Sequence, residues 1–203
     1  MARDPKATLS ESEQMPPDPT DYLPFPTPEH LRAWFADHHI VRTELWVQIF
    51  KKGSGEPSVT WDDCVIESIT WGWIDGIKKR LDDTSYVQRR TPRRPKSNWS
   101  KRNCNHAERL IKEGLMMPTG LAQVDAAKAD GRWDAAYDGS RDMVIPADFL
   151  TALDANPAAK AFYATLTRAN LFVIYHRLHS DKKPEARARR MEQMLEQLAL
   201  GKR

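Results

Sequence analysis

The sequence predicts an α+β protein: a small antiparallel sheet with flanking helices over about 23–144, followed by a helical module over 145–203. Three observations carry this reading. Strand-like runs occur at Leu45–Lys51, Trp73–Leu81 and Ser85–Thr91, rich in β-branched, aromatic and other bulky apolar residues. Pro92 and Pro95 then close the sheet, because neither has an N–H to donate to a neighbouring strand. From Ile145 onward the apolar residues follow helical spacing: Phe149, Leu150, Leu153; Phe162, Tyr163, Leu166; Phe172, Val173, Tyr175; Met191, Met194, Leu195, Leu198.

Taken in order, residues 1–22 are rich in Pro, Ser, Asp and Glu and read as a disordered tail. Thr27-Pro28-Glu29 opens the first helix, with Thr27 as cap and Leu31, Trp34 and Phe35 on its inner face, ending near His38 and His39. Gly53-Ser54-Gly55 turns the chain after the first strand. Thr60 and Asp63 form a shortened capping box for a helix that stops at Gly72. Two strands follow, joined around Asp82-Asp83-Thr84. Ser100 caps a third helix that runs to Glu113, with Gly114 as its stop, and Pro118 opens a fourth. Gly131–Val144 reads as a connection that packs through Trp133 and Tyr137. Pro146, Pro157 and Pro184 stand where later helices begin.

Forty per cent apolar content, seven Trp and a mean hydropathy of −0.66 describe a chain with a real core and a polar surface. No window approaches the roughly 18 apolar residues of a membrane span, and the N-terminus has no secretory h-region. Cys64 and Cys104 have neither metal-ligand spacing nor a disulfide framework, which points to the cytoplasm. No cofactor and no metal is implied.

The charge is concentrated. Lys78–Arg102 holds ten basic residues against Asp82 and Asp83, a local +8 in a chain of net +3, so the remainder is −5. Guanidinium forks among Arg89, Arg93 and their neighbours, interleaved with Tyr86 and Trp99, suit an anionic small molecule or single-stranded nucleic acid. A phosphate could also sit at the N-terminus of the Ser100 helix. Asp75 lies beside Trp73 on a strand, where it is either a structural ion pair with Lys51 or Arg89 or a general base. Ser97, Ser100 and Asn103 read as caps and turn formers, and His176 and His179 as packed residues of a helix.

Several motifs together resemble a known family. Lys51-Lys52-Gly53-Ser54-Gly55, Trp71-Gly72-Trp73-Ile74-Asp75-Gly76, Thr91-Pro92-Arg93-Arg94, Trp99-Ser100-Lys101-Arg102-Asn103, Gly114 with Gly120, Lys182-Lys183-Pro184-Glu185 and Arg187-Ala188-Arg189-Arg190 resemble the bacterial YdeI/OmpD-associated (OmdA, bacteriocin-protection) family. The resemblance runs from about Thr27 to the C-terminus and implies a cytosolic protein associated with stress or toxin resistance. It carries over no catalytic residues. The function expected is a non-catalytic binding protein for an anionic ligand, its site built from Lys51, Trp73, Asp75, Arg89, Arg93, Trp99, Ser100 and Asn103. Two alternatives stand beside it: a nucleic-acid-associated stress protein using the strip 89–102, and an enzyme with Asp75 as base. The oligomeric state is left open.

Overall fold

The computed structural model describes residues 21–181 and 183–202. All but Asp21 and Tyr22 of the expected N-terminal tail lies outside the described residues. The described residues form four strands and eight helices in the order β1 (Leu23–Pro24), α1 (Pro28–His38), β2 (Leu45–Phe50), α2 (Trp61–Thr70), β3 (Trp73–Arg80), β4 (Ser85–Pro92), α3 (Lys101–Lys112), α4 (Pro118–Ala129), α5 (Ala147–Asp154), α6 (Pro157–Tyr163), α7 (Arg168–Ser180) and α8 (Pro184–Ala199). The fold is α+β, as the sequence predicts. Among the described residues, those up to Ser68 with Ile74–Pro92 form one compact unit, and Ile69–Trp73 with the chain from Arg93 onward form a second.

The first unit carries the sheet, in the order β1-β2-β4-β3. β2 and β4 are antiparallel, with Leu45 opposite Arg90 and Phe50 opposite Ser85. The sheet is mixed rather than wholly antiparallel, because the two-residue β1 pairs parallel with β2, Leu23 opposite Val47. So short a strand has too few residues to show a period-2 pattern in the sequence. Phe25, Leu31, Phe35, Val47, Ile49, Val59 and Val65 are buried here. Glu67 on α2 is 2% exposed and is held by Arg32 of α1, at 2.6 Å from Nη2 and 3.1 Å from Nε. A buried carboxylate needs such a partner to remain charged.

Capping chemistry explains where helices begin. The Thr60 hydroxyl accepts from the Asp63 amide at 3.1 Å while the Asp63 carboxylate accepts from the Thr60 amide at 2.8 Å, a complete reciprocal box. Ser100 accepts from the Asn103 amide at 3.2 Å. Thr27 occupies the N-cap position of α1, but its hydroxyl is hydrogen-bonded to His30 Nδ1 at 3.0 Å and not to the backbone.

The second unit is helical. A closed core of Phe149, Leu153, Ala159, Ile174, Leu178, Met194 and Leu198 joins α5 to α8. Its other end is organised around a backbone contact. Gly120 of α4 lies so close to Ile69 and Thr70 that an added Cβ would stand 2.3 Å from the Thr70 carbonyl oxygen and 2.8 Å from that of Ile69. Gly72, at φ +79°, would place a Cβ 2.7 Å from the Thr119 carbonyl. The Met117 amide donates to Thr70 O at 3.1 Å and the Arg93 amide to Gly72 O at 3.0 Å.

Backbone cannot yield as a flexible side chain can, so Gly120→Ala is expected to cost about 2 kcal/mol or more. Gly53→Ala, at φ +92° but with open space around it, is expected to cost only about 1 kcal/mol of conformational strain. Urea denaturation of the two variants checks the ranking.

Candidate anion-binding site

The eight residues expected to build the site divide between the two units. Lys51, Asp75 and Arg89 lie in the first; Trp73, Arg93, Trp99, Ser100 and Asn103 lie in the second. In the first unit Lys51 Nζ donates to the Asp83 carbonyl at 3.0 Å, and Arg89 Nε donates to Glu44 Oε2 at 2.7 Å. Neither is the ion-pair partner of Asp75. Asp75 Oδ2 instead accepts from Gln88 Nε2 at 3.4 Å, and its charge supports Arg90.

Arg90 is the residue in this region that the sequence does not single out. It is 1% exposed, with Nη2 donating to Gln88 Oε1 at 3.2 Å. Burial pushes the guanidinium below its ordinary range, against which Cys64, Asp75 and Tyr86 hold it up. The Cys64 thiol is pushed up to about 11 by burial, despite the nearby guanidinium. A thiol held protonated at neutral pH is a poor nucleophile.

In the second unit Arg93 and Trp99 do meet, as a packed interior. The Arg93 guanidinium carbon lies 3.7 Å from the Trp99 ring centre, and its Nη1 donates to Asn98 O at 3.2 Å. Trp133 packs on Trp99 at 5.0 Å between ring centres, and Lys128 stands over Trp133. Trp99 is 1% exposed and Arg93 5%. Arg132, also buried, donates to Ser97 O at 2.8 Å and pairs with Asp130 at 2.7 Å. The loop before α3 is therefore held by guanidinium groups on the inside.

The exposed cations lie one step further along. Lys101, Arg102, Asn105, His106 and Arg109 follow one another at i, i+1, i+4, i+5 and i+8, so they share one face of α3. Together with Asp138–Asp142 they line an open cleft of about 900 Å³. The opposite wall is fixed from below: Arg168 donates to Ser140 O at 2.7 Å and to Arg141 O at 2.6 Å. Lys101 pairs with Asp138 at 2.7 Å, and that hydrogen bond raises the lysine above its ordinary range. Arg102 Nε donates to His106 Nε2 at 3.4 Å. Arg109 pairs with Glu113 at 3.1 Å. The helical spacing of this face is visible in the sequence. The loop carrying Arg141 is not, because only the fold brings it opposite α3.

The first turn of α3 contains no acidic residue and two cations, contrary to what the helix dipole favours. Positive charge at an already positive helix end raises the local potential and draws anions. No group of three or more His, Cys, Asp or Glu able to hold a metal occurs among the described residues.

Fold and cleft together define an α+β protein whose helical unit presents a basic face. Residues 142–201 match the family described as Bacteriocin-protection, YdeI or OmpD-Associated, so the resemblance seen in the sequence is found in the C-terminal segment. Residues 23–123 match Domain of unknown function (DUF8412), which takes in the Trp71–Gly76 run. No curated protein and no solved structure matches the chain. Among the described residues, no helix is long and apolar enough to cross a membrane.

Two outcomes follow from the buried titratable groups. Burial also pushes Cys104 up to about 11, so both cysteines are expected to resist iodoacetamide at pH 8 in the native state and to react on unfolding. His176, packed edge-on against Tyr137 at 4.7 Å, is lowered from its ordinary 6.5 by burial and then by the charge of His179. The unfolded chain therefore binds the extra proton more readily, and the stability His176 contributes is present above about pH 6.5 and lost as pH falls through its lowered value. Urea midpoints from pH 7.5 down to 5 should drop for the wild type and drop less for His176→Phe.

Proposed function

We propose that this protein binds a small polyanion, such as a phosphorylated metabolite, in the cleft between the basic face of α3 and the 138–142 loop. The observation that carries the reading is the placement of Lys101 and Arg102 in the first turn of α3, against the helix dipole and without an acidic residue in that turn. Arg109 and Arg141 add two further cations to the lining, against Asp138 and Asp142, with Glu113 as the partner of Arg109. Lys101 neutralises Asp138, and the four cations still exceed these three carboxylates, which favours an anion. Arg93, Trp99, Ser100 and Asn103 then support the site: the cation-on-ring stack and the serine cap set where α3 begins.

The family description attached to residues 142–201 supports a bacterial protein with a protective or resistance role. Two buried free thiols support a reducing cytoplasm. The closed core of α5–α8 and the family match that starts at 142 support treating residues 145–203 as a module of their own.

Tripolyphosphate is a suitable probe. At low salt and millimolar concentration it should raise the Tm by about 3 °C or more, with the shift falling as salt rises. Arg102→Ala with Arg109→Ala should remove most of that shift while leaving the ligand-free Tm within about 2 °C, since both side chains are exposed. A wild-type Tm indifferent to tripolyphosphate, or a double variant that responds fully, overturns the reading. Binding of a single-stranded oligonucleotide without any response to tripolyphosphate would assign the surface to nucleic acid instead.

A further inference from the structure

The helical module holds a second cavity of different chemistry. It encloses about 260 Å³, and Leu166, Val173, Ile174, Met194 and Leu198 form its apolar lining. Ile174, Met194 and Leu198 belong to the closed core of α5–α8, so the floor of this groove is rigid packing and not a loose surface. Val173, by contrast, is 44% exposed at the rim. An apolar groove left open to water on a core this well filled is an unsatisfied surface.

The charge at the groove is one-sided. Arg177 of α7 and Lys202, just beyond α8, are its charged lining residues, and no Asp or Glu lines it. Arg177 makes no ion pair among the described residues, whereas Arg187 and Arg190 of α8 are paired with Asp148 and Asp181. The polar remainder is Asn170, whose side chain is engaged in capping α7, and the amide of Gln197.

We propose that this groove binds a free single-chain carboxylate, its alkyl chain along α7 and α8 and its head group between Arg177 and Lys202. The groove is short and its apolar lining comes from five side chains, which suits a single medium-length chain such as octanoate or decanoate. Burial of the chain's methylenes against the apolar lining supplies most of the affinity, and the guanidinium fixes direction and head-group choice. The site is independent of the α3 cleft.

Decanoate and decyltrimethylammonium, which have the same chain and opposite charge, provide the test. Isothermal titration and thermal shift should show decanoate binding one to one and raising the Tm, with the quaternary amine at least tenfold weaker. Arg177→Gln should weaken decanoate about tenfold, and Val173→Trp, which fills the groove from an exposed position, should abolish binding in a chain whose circular dichroism is unchanged. Arg102→Ala should leave decanoate binding intact, which separates this site from the tripolyphosphate site. Equal binding of both amphiphiles, no binding of decanoate, or full binding by both Arg177→Gln and Val173→Trp overturns the proposal. A wild-type dimer that Val173→Trp converts to monomer would assign the groove to a second copy of the chain and overturn it as well.

Discussion

The constraint on which the helical unit depends is the approach of Gly120 to the carbonyl oxygens of Ile69 and Thr70. An α-helix normally meets its neighbours through side chains, at axis separations of about 8–10 Å. Here the α4 backbone itself is against the chain, and Gly72 at φ +79° returns the approach from the other direction. The two backbone hydrogen bonds at this corner, from the Met117 amide to Thr70 O and from the Arg93 amide to Gly72 O, satisfy the last carbonyl of α2 and one just beyond it. The second bond is also where the chain out of β4 enters the helical unit. The position of the Arg93–Trp99 stack, and after it Ser100 and α3, therefore follows from two residues without side chains.

That stack changes the meaning of the basic run. A sequence with ten cations between residues 78 and 102 reads as one charged surface. In the structure Arg90 is buried within the first unit, and Arg93 and Arg132 are buried within the second. Arginine tolerates this because its guanidinium is planar and weakly hydrated: it can lie on an indole face and still donate to carbonyls in its own plane. Lysine, with a compact hydrated charge, stays outside; Lys78 reaches only over the Tyr86 ring, and Lys51 only to an exposed carbonyl. Arginine at these positions is accordingly a packing residue, and the charge that remains for binding is less than the local +8.

What was legible in the sequence follows the range of the physics behind each feature. Helix starts at Thr60, Ser100, Pro118, Pro157 and Pro184 depend on three or four consecutive residues, and they occur where expected. Thr27 shows the limit of that rule: the position is right, but His30 competes for the hydroxyl. The strands from Leu45, Trp73 and Ser85 carry their own pattern, whereas the two-residue β1 exists only because β2 offers it an edge. The burial of Arg90, whose charge Asp75 supports, was not legible at all. Arg89 and Arg90 are adjacent and chemically identical, and which one turns inward is settled by strand register against β2, where Leu45 stands opposite Arg90.

The basic face of α3 was half legible for a related reason. Its spacing marks Lys101, Arg102, Asn105, His106 and Arg109 as neighbours on any helix, but an exposed basic face is ordinarily only a solvated one. What distinguishes this face is its conflict with the dipole of its own helix, together with an opposing wall whose backbone is pinned by Arg168 at Ser140 and Arg141. α8 supplies the contrast. Its first turn carries Glu185, in keeping with the dipole, and its Arg187 and Arg190 are spent on Asp148 and Asp181. Two helices of similar basic content thus differ in how their first turns stand to the dipole. In α8 that turn holds an acidic residue; in α3 it holds two cations beside an open cleft, and an arriving anion would lower the positive potential of that helix end.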